Sequence, residues 1–177
     1  ISWLLNIRGS DIARNPVVQC FAVLHASGRV DLFIDPAKVA DLGPDPDIDQ
    51  HPIEAFEGVL SGLKGTVRID PDSAPWAVLQ ALGGASVVRA TDPCLRPKAC
   101  KNPVELDGAR AAHARDAVAM TEFLAWVDAN APGTLTEIDV VTALEGFRRN
   151  TNALKDISFE TIAGSGPHGA IVHYRVT

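Results

Sequence analysis

The chain has 177 residues, of which 46% are hydrophobic, 21% charged and 6% aromatic. This is enough for one large domain or two small ones, and it excludes disorder and fibrous repeats. A net charge of −6 with no basic block argues against nucleic acid or an anionic membrane as partner, and no apolar run reaches the ~18–20 residues a bilayer requires.

Residues 3–7 are apolar and end at a turn-rich stretch, 8–11. Residues 17–25 form a nearly continuous apolar run, which predicts a strand buried on both faces. Ala26, Ser27 and Gly28 read as a tight turn. Beyond it, Val30, Leu32 and Ile34 alternate with Arg29, Asp31 and Asp35, with Phe33 the exception, so 17–35 reads as a β-hairpin. Pro36 opens a short helix over 37–42, broken by the Gly/Pro/Asp run at 43–47. Ile53, Phe56, Val59, Leu60 and Leu63 give helical spacing over 52–63. Residues 66–69 read as a short strand. Ser73 caps a helix that carries Trp76, Leu79 and Leu82 inward, Gly83 and Gly84 end it, and 85–90 is again strand-like. The order β-β-α-α-β-α-β predicts an α/β fold, a mixed sheet with flanking helices.

Residues 91–103 hold three prolines and three basic residues with little apolar content, as a linker does. The expected division is a first domain over 1–95, a linker over 96–102 and a second domain over 103–177. The second begins with a long helix to about Asn130, striped by Leu106, His113, Ala117, Met120, Leu124 and Val127, and ended by Pro132 and Gly133. Thr134 with Glu137 fits a capping box, and the helix it opens runs to about Asn150 with Ile138, Val141, Leu144 and Phe147 inward. Residues 157–163 and 170–176 read as strands around a glycine-rich turn, so the second part is α-α-β-β. Two strands rarely make a stable sheet unaided. The chain starts at Ile1 and its only methionine is Met120; both ends look strand-like, so the expectation is a piece of a longer protein.

Gly164, Gly166 and Gly169 match a dinucleotide-binding spacing, but that chemistry needs a following helix whose N–H groups hold a pyrophosphate, and the residues that follow are β-prone. A hairpin connection is the better reading. His168 and His173 are five apart, an odd offset that points them to opposite faces of a strand. Cys94 and Cys100 have no second pair with which to build a zinc site. Cys20, Cys94 and Cys100 are odd in number and scattered, which argues against a disulfide framework and for a cytoplasmic protein. His113 on its apolar stripe reads as a packed, hydrogen-bonded histidine, and His25 and His51 read as structural or exposed. His173, inside an apolar run beside Tyr174, reads from its neighbours alone as a satisfied core histidine.

Six segments, in order, resemble the long, three-domain form of Xaa-Pro aminopeptidase (aminopeptidase P), a creatinase/prolidase-like "pita-bread" metallopeptidase. They are WLLNIRGSD at 3–11, DLFID at 31–35, KNPVEL at 101–106, RAAHARD at 110–116, SFETI at 158–162 and GPHGAIVHY at 166–174. The resemblance implies a creatinase-N-like middle domain followed by the start of the catalytic domain. It implies an enzyme that removes the N-terminal residue from peptides with proline second, using two divalent metal ions, commonly manganese, and a parent protein that forms a homodimer. The family's five metal ligands would lie beyond residue 177, so no metal is expected in this chain, and the chain alone is expected to be inactive. Of the family's functional residues, only His173 is carried over, as the histidine that binds substrate and the developing charge. The family more often shows asparagine or threonine at His168, which is assigned nothing. The alternative is a non-catalytic peptide- or protein-binding module of the same ancestry.

Overall fold

The computed structural model describes residues 1–131 and 133–176. It divides into two compact units, Ile1–Cys100 and Lys101–Thr177. The mixed sheet with flanking helices is present in the first.

In the first unit, β1 (Phe21–Leu24) and β2 (Val30–Phe33) pair antiparallel from Phe21↔Phe33 to Leu24↔Val30. Gly28 supplies the turn at φ 95°, where a side chain would be strained. β3 (Ile48–His51) pairs parallel on the other side of β2. The strand expected to be buried on both faces is therefore an edge: Phe21 and Leu24 are exposed, and β2 takes the central place. That placement accounts for Phe33, which breaks the alternation. Leu32 and Ile34 are buried in a core with Ile7, Val30 and Val39, whereas Phe33, also fully buried, lies against the rings of Phe56 and His51, each 5.1 Å away.

The sequence gives no warning of β3, because three of its four residues, Asp-Gln-His, are polar and run straight into Pro52. The helix expected over 37–42 is a single 3-10 turn, Pro36–Lys38, capped by the Asp35 carboxylate. A 3-10 turn at Ile53–Ala55 leads into α1 (Phe56–Gly62). β4 (Thr66–Ile69) and β5 (Ser86–Arg89) form a separate parallel pair joined through α2 (Trp76–Ala81). Leu60, Ile69 and Leu82 make their core. Trp76 does not turn inward as expected: it sits at the start of α2, 68% exposed.

The stretch read as linker is partly helical. The Asp92 N–H donates to the Asp70 carboxylate at 2.7 Å, and the Asp92 carboxylate in turn accepts from the Cys94 N–H at 2.8 Å, which starts the short α3 (Leu95–Ala99).

In the second unit, α4 (Pro103–Asn130) opens with a capping box between Asn102 and Glu105 and with Pro103 in the first turn. The expected stop at Pro132 lies outside the described residues. α4 packs on α5 (Glu137–Asn150). Its covered face is Asp116, Ala119, Met120, Phe123, Trp126 and Val127, so the observed stripe is rotated from the expected one; Leu106 and Leu124 are exposed, and so is His113. Arg148 of α5 grips the Asp116 carboxylate with two hydrogen bonds, of 2.7 and 3.0 Å.

The two strands expected at the end of this unit are not formed. Residues 151–165 are turn and irregular backbone, and a 3-10 turn, Gly166–Ala170, takes the place of the hairpin connection. A hairpin ladder needs backbone partners that this segment lacks among the described residues. Three of the polar groups between 165 and 174 bond instead to a single side chain of α5.

Candidate functional site

That side chain is Glu137, the first residue of α5. The capping box expected between Thr134 and Glu137 is displaced by two residues. Thr136 is the N-cap, and its hydroxyl accepts from the Asp139 N–H while the Asp139 carboxylate accepts from the Thr136 N–H. The same signature, a threonine followed three residues later by an acid, is legible at 136–139. Reading it there releases Glu137 for other work.

Glu137 collects three donors from the glycine-rich segment. The Ser165 N–H reaches Oε1 at 2.6 Å, His168 Nδ1 lies 3.0 Å from both carboxylate oxygens, and the Tyr174 hydroxyl donates to Oε2. The rings of His168 and Tyr174 stack at 4.7 Å. The hydrogen bond from Tyr174, followed by that from Ser165, holds the Glu137 carboxyl below the usual glutamate range; reciprocally, the carboxylate pushes the Tyr174 hydroxyl above its ordinary value. The helix N-terminus at Glu137 favours the same charge.

His173 is adjacent to this cluster. It is exposed, outside any strand, and adopts φ 55°, a left-handed conformation rare for a residue with a side chain. The reading of His173 as a satisfied core histidine is thus overturned. An exposed imidazole beside a pinned backbone can meet a ligand or donate a hydrogen bond to developing negative charge. Gly164 passes close beneath the same turn: a Cβ there would lie 3.1 Å from the backbone of His168 and Gly169. No helix follows Gly169 among the described residues, which removes the pyrophosphate reading of the three glycines.

The first unit carries a second cluster. Asp31 of β2 accepts from His25 Nε2 at 2.8 Å and from His51 Nε2 at 3.4 Å. Partial burial opposes ionisation of Asp31, but the two histidine hydrogen bonds outweigh it and hold the carboxyl below its usual range. Among the described residues, no group of three or more His, Cys, Asp or Glu side chains is arranged to hold a metal ion. Cys20, Cys94 and Cys100 are free thiols. No helix among the described residues is long and apolar enough to cross a membrane.

Residues 1–105 match the Creatinase/Prolidase N-terminal domain family. The chain belongs to the creatinase/prolidase N-terminal domain family. Residues 107–177 match a second family, metallopeptidase family M24. The six-segment resemblance is borne out by relatives that align over nearly the whole chain. A Laccaria bicolor protein named "Probable Xaa-Pro aminopeptidase P" is 37% identical over 99% of this chain and 29% of its own length. A Neosartorya fischeri protein of the same name is 35% identical over 99% of this chain and 29% of its own length. An uncharacterized peptidase of Schizosaccharomyces pombe is 33% identical over 98% of this chain and 30% of its own length. Among solved structures, an X-prolyl aminopeptidase from Caenorhabditis elegans, described as a cytosolic enzyme with a di-nuclear active site, superposes with a TM-score of 0.80 at 27% identity, covering 98% of this chain and 30% of that one. The creatinase/prolidase-family chain thus spans about 30% of the length of the proteins it matches.

Proposed function

We propose that this chain is part of a metal-dependent aminopeptidase that removes the N-terminal residue from peptides with proline in second position. What carries the reading is that a creatinase/prolidase N-terminal match runs directly into an M24 metallopeptidase match, and relatives named for Xaa-Pro cleavage align across both. The protein would act in the cytosol, consistent with three free thiols and with the description of the C. elegans enzyme.

The residues described here do not fit a metal centre. Two divalent metal ions, manganese being our expectation, would be held by residues outside this chain. His173 is the residue of this chain assigned to the reaction: its exposed imidazole would bind substrate and meet the charge that develops on the scissile carbonyl oxygen.

The test is kinetic. In the full-length protein, His173→Ala should lower kcat/KM on Xaa-Pro peptides by about 100-fold, the scale of one lost charge-stabilising donor, while metal content measured by elemental analysis stays unchanged. Unaltered kinetics would refute the assignment of His173, and a full-length protein that cleaves no Xaa-Pro peptide would refute the function.

A further inference from the structure

Three donors from residues 165, 168 and 174 converge on the one carboxylate of Glu137, 28 to 37 residues earlier in the chain. The carboxylate is well covered, its side chain only 16% exposed, whereas the His168 that reaches it is 51% exposed. The arrangement is too convergent for a helix cap, since Thr136 and Asp139 already cap α5. Two of the three anchors bracket His173: Tyr174 follows it directly, and His168, stacked on Tyr174, lies five residues before it. Between them the backbone holds His173 at φ 55°. His173 sits in a turn closed by the Tyr174 N–H on the Ile171 carbonyl at 3.3 Å, and the bonds from His168 and Tyr174 to Glu137 anchor the chain on either side of that turn.

We infer that Glu137 is a positioning residue for His173: its carboxylate clamps the segment that bears His173 at Ser165, His168 and Tyr174, fixing where the imidazole stands. This rests on the role proposed for His173 and adds to it a residue on a different element. Glu137 touches no substrate in this scheme and acts through His173.

Two measurements test it. The first reads the clamp in this chain directly. Tyr174 is its single tyrosine, so the phenol carbon resonance of a tyrosine-labelled sample reports that hydroxyl alone. Glu137→Gln should move the Tyr174 titration to lower pH by removing the charge that the hydroxyl faces; an unmoved titration means that the clamp does not exist in solution and overturns the inference.

The second is a kinetic cycle in the full-length, metal-loaded protein. Glu137→Gln should lower kcat/KM on an Xaa-Pro peptide about 10- to 100-fold, as small misplacements of reacting groups do, with metal content intact. The same change made in the His173→Ala background should cost nothing further, because a residue acting through His173 has nothing left to position. Fully additive effects would mark Glu137 as a general structural support and overturn the inference. Wild-type kinetics for Glu137→Gln beside a defective His173→Ala would overturn it alone, and a silent His173→Ala would overturn the role of His173 as well. Should Glu137→Gln lower the yield of folded protein, Tyr174→Phe removes one arm of the clamp without touching α5, and it must show the same lack of additivity with His173→Ala.

Discussion

Single residues set tolerances that the hydrophobic pattern does not reveal. Gly9, in the WLLNIRGSD segment, has ordinary φ but no room: a Cβ there would lie 2.8 Å from the Val18 Cβ and 2.9 Å from the Val17 carbonyl oxygen. The contact is largely with backbone, which cannot rotate away. It joins the first turn of the chain to the segment entering β1, where the Asp11 carboxylate also accepts from the Gln19 N–H at 2.6 Å and from Lys38 Nζ at 2.8 Å. Gly9→Ala should therefore destabilise the first unit by about 1–3 kcal/mol, the usual cost of overpacking. Thermal unfolding followed by circular dichroism would check this, and a wild-type melting temperature would show that the two segments part easily.

At the scale of elements, α4 and α5 are joined by a salt link as well as by packing. The Arg148 guanidinium holds the Asp116 carboxyl below the usual aspartate range, and Asp116 keeps the guanidinium charged to higher pH than usual. A carboxyl with a depressed pKa in the folded state contributes stability above its unfolded value of about 3.9, and that contribution is lost as pH falls through the lower, folded value. The second unit should thus lose stability below about pH 4, by about 1 kcal/mol at most, because Asp116 is nearly half exposed. Asp116→Asn should be less stable at pH 7 and show a flatter acid limb in urea unfolding; equal slopes for the two proteins would assign the link no energetic role. The same scale shows what the residues made legible. The existence and extent of α4 and α5 were legible, although the buried stripe of α4 is rotated and the cap of α5 lies two residues later than expected, and the hairpin follows from its turn. β3 was hidden because a short strand paired to the central β2 needs little apolar content of its own. The expected strands at 157–163 and 170–176 failed for the opposite reason: they have β-prone residues but no ladder partner, and side-chain bonds to Glu137 took its place. The site was legible in part. His173 is marked by the family resemblance, whereas Glu137 is concealed because Thr134 and Glu137 have the same spacing as the true capping box, Thr136 and Asp139.

For the whole molecule, the question is which part of the chemistry this chain can carry. A peptidase metal centre needs about four or more converging ligands, of which histidine nitrogen and carboxylate oxygen are the usual types. Among the described residues, two places where histidines and a carboxylate meet are already committed. In the first unit, the Nε2 atoms of both His25 and His51 are spent on the Asp31 carboxylate. In the second, both oxygens of Glu137 face His168, and one of them also takes the Tyr174 hydroxyl. Neither place offers a third free ligand to an ion, and binding there would first have to break hydrogen bonds that hold the fold. The 177-residue chain should therefore bind manganese with no stoichiometric step in calorimetric titration at micromolar protein, and it should release no amino acid from Xaa-Pro peptides at any manganese concentration. Under the proposed function, the full-length protein should bind manganese stoichiometrically and cleave Xaa-Pro peptides. One or two equivalents bound tightly by this chain would show that its histidines and carboxylates rearrange around an ion, and turnover would show that the catalytic centre is complete within these two units.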